Sequence, residues 1–159
     1  MSDAHDRPAT PAPRRRDPAP SARAHTTRSI PLDAGAPGVV AAARTAARAF
    51  VTDHPRADDT LVETVGLVVS ELVTNAVRHA PGPCVLELEH TEARVRVTVH
   101  DTAGAHPVPR PRDPQRPHGH GLELVRSLAV LSVLDTPTGK AVTARVPYSR
   151  TGPDPETVT

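Results

Sequence analysis

A carboxylate and an amide stand four residues apart in the middle of this chain, at Glu71 and Asn75. In a helix that spacing puts both side chains on the same face, with Arg78 one turn further on. The carboxylate can accept the proton of an incoming hydroxyl, and the amide oxygen can bind Mg²⁺, which takes few protein ligands. Phosphoryl transfer needs mainly this positioning and charge neutralisation. The alternative interpretation is a polar stripe that only faces solvent.

A second acid, Asp101, ends a run in which Val95, Val97 and Val99 alternate with polar residues. Counting by twos places Asp101 on the same buried side as the valines, so the acid needs a partner there. A carboxylate can accept a hydrogen bond from the exocyclic amine of adenine, whereas it repels the carbonyl oxygen of guanine. The position of Asp101 therefore predicts an acid that selects ATP over GTP. The alternative is an acid that caps a turn at the strand end.

Two glycines near residue 120 favour a phosphate site. Gly119 and Gly121 let the backbone approach an anion, and a helix that follows them directs free N–H groups and its positive end at that anion. His120 stands between the glycines, where we expect it to contact nucleotide or solvent. The segment is not a Rossmann fingerprint, because Leu124 occupies the position of the third glycine.

The elements that position these residues follow from the periodicity of the apolar side chains. An edge strand over His25 to Leu32 is predicted before an alanine-rich helix over residues 39–52. A second helix is predicted from Thr60 to His79, preceded by acidic residues that suit a helix N-terminus. Its core face is one apolar stripe: Leu61, Val65, Val68, Leu72 and Ala76.

Two alternating strands are predicted next, one around Leu86 and Leu88 and one ending at Asp101. A turn at residues 90–93 predicts two cross-strand charge pairs, Glu89 with Arg94 and Glu87 with Arg96. Residues 102–118 contain five prolines, so they predict a long loop that acts as a lid. The remaining predicted elements are a helix over residues 121–131 and strands over residues 130–135 and 141–146. This order predicts an α+β fold, a two-layer sandwich with a mixed, mostly antiparallel sheet and helices on one face.

Length and composition limit the other possibilities. The chain has 159 residues and a net charge of +1, which fits one domain with tails and opposes whole-surface attraction to nucleic acid. Disordered tails are predicted over residues 1–28 and 149–159, which leaves residues 29–148 as the folded domain. The single cysteine, Cys84, excludes an internal disulfide, and no apolar run approaches the ~18 residues of a membrane span. These observations predict a cytoplasmic protein.

The three stretches together resemble the nucleotide-binding motifs of the GHKL ATPase superfamily, which includes gyrase, heat-shock chaperones, histidine kinases and MutL. Residues 71–80 are similar to its N box, Asp101 with Gly104 to its first glycine box, and residues 119–122 to its second. The Glu-Leu-Val-Thr-Asn sequence most resembles RsbW-type anti-sigma-factor serine/threonine kinases. The similarity extends over residues 28–148.

The resemblance implies a Bergerat-type ATP-binding fold with ATP and Mg²⁺ as ligands. It makes Glu71 the catalytic base, Asn75 the Mg²⁺ ligand and Asp101 the adenine-binding acid. The other matched residues are implied to contact nucleotide: Arg78, Gly104, Gly119, His120, Gly121 and Leu122. The implied partners are a sigma factor and a STAS-type anti-anti-sigma protein, which is phosphorylated on Ser or Thr. Dimers are common among such kinases, and neither membrane nor direct nucleic-acid contact is implied.

The chain departs from the family pattern in three places, one of which is residues 130–134, where many close relatives have Trp-Gly. Thr102 and Ala103 stand where the first glycine box often has a glycine, and residues 139–141 lack the threonine that often contacts phosphate. These departures leave a non-catalytic ATP-binding interaction module in transcription control as the alternative function. Nucleic-acid association through the arginine-rich tail is a third hypothesis, which predicts salt-dependent binding that is lost when residues 1–28 are deleted.

Overall fold

Among the described residues, a five-stranded sheet forms one layer of the fold, and three helices cover one of its faces. The computed structural model describes residues 26–79, 82–102 and 121–148. Along the chain the elements are β1 (Thr27–Asp33), α1 (Val39–Thr52), α2 (Asp59–His79), β2 (Pro83–His90), β3 (Arg94–Asp101), α3 (Gly121–Leu128), β4 (Val130–Thr136) and β5 (Gly139–Pro147).

The strands lie in the order β1-β2-β3-β5-β4, and each neighbouring pair is antiparallel. The predicted α+β sandwich is therefore confirmed, and β1 is an edge strand as predicted. The described strands contain no parallel pair, so the mixed character expected of the sheet is not seen in them.

The first two helices agree closely with the predicted ranges because both have clear start signals. Gly38 precedes α1 with a φ of 76°, a left-handed conformation that glycine adopts without steric cost. Asp58 caps α2, where its carboxylate accepts a hydrogen bond from the Leu61 N–H at 2.6 Å. The two helices approach closely at Gly66, where an added Cβ would lie 3.2 Å from Arg48 Cγ.

The core lies between α2 and the sheet. Every residue of the predicted α2 stripe is 2% exposed or less. The stripe packs against side chains that alternate along the facing strands: Leu86, Leu88, Val95, Val97, Val99, Val142, Ala144 and Val146. By length and composition α2 is apolar enough to cross a membrane, contrary to the expectation from the sequence. Eight of its 21 residues are buried, so its apolar character is explained by core packing.

The predicted hairpin between β2 and β3 forms with a different register. Glu89 lies opposite Arg96, with which it forms a salt bridge of 2.8 Å, and not opposite Arg94. Glu87 lies opposite Thr98, and its carboxylate is 3.0 Å from His100 Nε2. The predicted turn was centred one residue too early, which moves each partner by two positions. A shift of two keeps every side chain on its predicted face, so the buried set is unchanged.

The last third of the described chain differs from the prediction at one boundary. Helix α3 ends at Leu128, three residues early, because the chain enters β4 at Val130. Strands β4 and β5 otherwise contain the predicted strands and extend slightly beyond them. The predicted lid lies outside the described residues apart from Thr102, as do most of the two predicted tails.

Candidate nucleotide-binding site

Helices α2 and α3 meet at Glu71 and Gly121. The Glu71 carboxylate lies so close to the Gly121 Cα that a Cβ added there would overlap with its Oε2 atom. Gly121 is the first residue of α3, and the free N–H groups of a helix are at its start. The structure therefore brings a carboxylate of the first predicted stretch against a glycine of the third. No side chain larger than hydrogen fits between them unless Glu71 moves.

Asn75 lies one helical turn from Glu71, and the nitrogen of its side-chain amide lacks a hydrogen-bond partner. The Nδ2 atom is buried without a hydrogen-bond partner, and it is the one such side-chain atom among the described residues. A buried polar group left unpaired costs about 1–3 kcal/mol, so each case in a folded protein needs an explanation. Either end of an amide can face a ligand, because rotation about χ2 exchanges its oxygen and nitrogen. The position fits a group that binds a phosphate oxygen or Mg²⁺.

Asp101 is buried on the core face of β3, as the alternation predicted, and it is 6% exposed. Its carboxylate accepts a hydrogen bond from Lys140, with 2.9 Å between Oδ1 and Nζ. The two residues lie directly opposite each other on β3 and β5, and their side chains are 3% and 5% exposed. The sequence showed that this acid needs a partner but did not identify Lys140, because the pairing of β3 with β5 is a long-range contact.

Gly139 sets the position of Lys140. The Gly139 Cα lies against the backbone of Asp101 and Thr102, and an added Cβ would overlap with the Asp101 carbonyl oxygen. A glycine at the start of β5 thus lets the β4–β5 turn close onto the end of β3. The residue after it is then held beside the Asp101 side chain.

The chain connection places Asp101 at the same end of the fold as the last turns of α2. Helix α2 ends at His79 and β2 begins at Pro83. Gly82, between them, lies beside the residue that follows β3, since its Cβ would be 3.2 Å from Thr102 Oγ1. Helix α2 also packs on β3, β5 and α3. Asn75, Asp101 and the start of α3 are thus on the helical side of the sheet.

Cys84 lies close to this acid but is not a reactive group. It is 2% exposed. Burial raises the pKa of its thiol, and the negative charges of Asp101 and Asp33 raise it further. A thiol under these conditions stays protonated and acts as a small apolar side chain.

The other predicted site residues fall into two groups. Arg78 is exposed near the end of α2, and Leu122 is half-buried and packs against the core. Three lie outside the described residues: Gly104, Gly119 and His120. The described part of the chain holds no cluster of three metal-ligating side chains.

Comparisons with known proteins found one family match and similar solved structures. Residues 34–146 match the model of the histidine kinase-like ATPase domain family. The histidine kinase domain from Erythrobacter litoralis EL346 blue-light activated histidine kinase is 33% identical over 55% of this chain and 46% of that chain, with a TM-score of 0.40. A structure of the EL346 kinase itself is 27% identical over 77% and 47% of the two chains, with a TM-score of 0.45.

The chain spans just under half the length of these two solved structures. No curated protein sequence matches it. The family match, by contrast, extends from just before α1 into the last strand. It includes Glu71 and Asn75 on α2, and Asp101. Since this match covers well over half of the residues, the chain belongs to the family of histidine kinase-like ATPase domains.

Proposed function

We propose that this chain binds ATP with Mg²⁺ and transfers the γ-phosphoryl group to a Ser or Thr hydroxyl of a partner protein. The observation that carries the proposal is the unsatisfied buried amide of Asn75, one turn from a carboxylate that lies against the start of α3. Membership of an ATPase domain family supports ATP as the nucleotide. Each of these residues has a role that follows from its chemistry.

Glu71 is the general base in this proposal. Its carboxylate accepts the proton of the attacking hydroxyl while the hydroxyl oxygen bonds to the γ-phosphorus. The bond between that phosphorus and the β–γ bridging oxygen breaks, and ADP leaves with the electron pair. Its position beside Gly121 puts the carboxylate at the start of α3, next to the place proposed for the phosphates.

Asn75 and Asp101 hold the two ends of the nucleotide. Asn75 would bind Mg²⁺ through its amide oxygen, and Mg²⁺ neutralises charge on the phosphates when bound. Asp101 accepts a hydrogen bond from the exocyclic amine of adenine. Gly121 and Leu122 lie beside the phosphates at the start of α3, and Arg78 supplies a cation at the end of α2.

We propose a sigma factor and a STAS-type anti-anti-sigma protein as the partners, in the cytoplasm. The support for this is the similarity of residues 71–75 to the RsbW-type kinases. In such a system the domain holds the sigma factor in one state and phosphorylates the antagonist in the other, and homodimerisation is part of the proposal. The non-catalytic alternative retains support from residues 139–141, which lack the threonine that often contacts phosphate in the family that the chain resembles.

Calorimetric titration with ATP and GTP in Mg²⁺ tests the first part of the proposal. We expect ATP to bind and GTP to bind at least about a hundredfold more weakly, because guanine presents an acceptor to Asp101. Asp101→Asn should lose most of this discrimination. Absence of ATP binding to the wild-type chain would overturn the proposed function.

Phosphotransfer to STAS-type proteins from the same genome tests the second part. Glu71→Gln should lower the transfer rate at least about a hundredfold and leave ATP binding intact. The matched control is Glu63→Gln on the exposed side of the same helix. ATP binding without transfer by the wild-type protein would favour the non-catalytic module.

A further inference from the structure

Lys140 is a buried ammonium group at the place where the proposed function puts the base of the nucleotide. Lysine is among the residues least often buried, and this one is 4% exposed. It stands between two acids in the sheet register, opposite Asp101 on β3 and Asp135 on β4. Burying a lysine costs several kcal/mol unless its charge is paired. Pairing with Asp101 offsets that cost, but two apolar residues at these positions would avoid it altogether.

We infer that Lys140 is a second base-reading residue, which donates a hydrogen bond to ring nitrogen N1 of adenine while Asp101 accepts one from the exocyclic amine. This inference rests on the proposed function, because it assigns a role within the ATP site. It adds a residue that the matched motifs do not contain.

The order of donor and acceptor carries the inference. The Watson–Crick edge of adenine has a donor, the exocyclic amine, next to an acceptor, N1. Asp101 Oδ1 and Lys140 Nζ are an acceptor and a donor that are 2.9 Å apart. The pair therefore has the complementary order and a spacing close to that of adjacent ring substituents. A carboxylate alone would match the amine and leave N1 without a donor in a buried site, which is unfavourable.

The same order rejects guanine more strongly than one acid does. Guanine has a carbonyl oxygen where adenine has its amine, and an N–H where adenine has the N1 lone pair. With the base in the same orientation, Asp101 then faces an acceptor and Lys140 faces a donor. Two mismatches instead of one predict that discrimination between ATP and GTP depends on both residues.

An adenine analogue tests this without any substitution. In 1-deaza-ATP a C–H replaces N1, so the molecule keeps its amine and its phosphates but lacks the acceptor for Lys140. We expect the wild-type protein to bind 1-deaza-ATP about 10- to 100-fold more weakly than ATP in calorimetric titration, as for other hydrogen bonds to charged groups. Equal affinities of the wild-type protein for the two nucleotides would overturn the inference.

Lys140→Met completes the comparison, because it keeps an unbranched side chain that is one atom shorter and removes the ammonium group. This variant should bind ATP and 1-deaza-ATP equally, both about as weakly as the wild-type protein binds the analogue. Arg145→Met is the matched control, since Arg145 is a cation on the same strand that donates a hydrogen bond to Ser132 and not to Asp101. This variant should still bind ATP more tightly than 1-deaza-ATP.

The outcomes separate the inference from the proposed function. Wild-type protein that binds no ATP overturns the proposed function and the inference with it. Wild-type protein that binds ATP and the analogue equally overturns the inference alone. Tighter ATP binding by Lys140→Met also overturns it, because Lys140 would then compete with adenine for Asp101. If Lys140→Met does not fold, the wild-type comparison decides.

Discussion

Gly121 is the residue at which the contact between α2 and α3 leaves no room for a side chain. An alanine there would overlap with the Glu71 carboxylate, which is the far end of a flexible side chain and can move. We expect Gly121→Ala to displace the proposed base and lower phosphotransfer at least about tenfold, with less than about 1 kcal/mol of destabilisation. Transfer assays and urea unfolding measure the two effects separately.

The control for Gly121→Ala is Ser127→Ala on the exposed side of the same helix. It should leave the transfer rate unchanged and change the free energy of unfolding by no more than about 0.5 kcal/mol. A large loss of stability with Gly121→Ala would mean that Glu71 cannot move, and an unchanged transfer rate would remove Glu71 from the reaction.

The ion pair of Asp101 and Lys140 also has a testable effect on stability. Lys140→Met leaves a buried carboxylate without its ammonium partner, which typically costs about 3–5 kcal/mol. The double variant Asp101→Asn with Lys140→Met removes both charges, so we expect it to regain more than half of that loss. Urea unfolding of the wild-type, single and double variants gives the coupling free energy. Additive effects of the two substitutions would show that the pair is not coupled.

At the scale of elements, a cluster of four rings joins α1, β2 and the end of β5. The His90 ring is 4% exposed and stacks on Phe50 and His54, with centroids 4.5 and 3.9 Å apart. Its Nε2 atom is 3.3 Å from the Phe50 carbonyl oxygen, and its Nδ1 atom is 2.9 Å from the Tyr148 hydroxyl. The cluster connects elements at the hairpin side of the sheet.

This cluster predicts a loss of stability in mild acid. Burial lowers the pKa of His90; the Phe50 carbonyl opposes this shift and His54 adds to it. The unfolded chain binds this proton near pH 6.5 and the folded chain only at lower pH. Between the two values the unfolded state holds more protons, so the stability falls as the pH drops below about 6.5.

Urea unfolding at several pH values between 5 and 8 measures this effect. His90→Gln cannot be protonated in this range, so its stability should fall less steeply with decreasing pH than that of the wild-type protein. His79→Gln, at the exposed end of α2, is the control for replacing a histidine by glutamine outside the cluster. Identical slopes for the wild-type protein and His90→Gln would assign acid sensitivity to other groups.

The elements also show what the sequence could predict and why. Local patterns determined α1, α2 and the buried side of Asp101, because helical stripes and strand alternation are set by near neighbours. The turn between β2 and β3 lacks a glycine or proline to fix its centre, so the register was wrong by two. The boundary at Leu128 and Val130 was ambiguous because its apolar residues suit a helix as well as a strand. Lys140 was not identified as the partner of Asp101 because only long-range pairing brings the two residues together.

For the whole molecule, the proposed nucleotide would connect elements that are distant in sequence. The phosphate end involves α2 and the start of α3, and the base end involves the ends of β3 and β5. The helices and the sheet already share one core, so a ligand that joins their edges adds to the cooperativity of a single folded unit. We therefore expect bound ligand to stabilise all of these elements together and not one at a time.

ATP should therefore stabilise the entire domain. At 100 times its dissociation constant, a ligand that binds only the folded state adds about 2.7 kcal/mol to the free energy of unfolding, which raises Tm by several degrees for a domain of this size. GTP at the same concentration should add little. Hydrogen exchange should slow in α2, in α3 and in the adjoining ends of β3 and β5 together, because all four elements would contact the nucleotide in the proposed site. Slower exchange in only one of these elements would mean that the nucleotide is not held between Asp101 on β3 and Glu71 and Asn75 on α2.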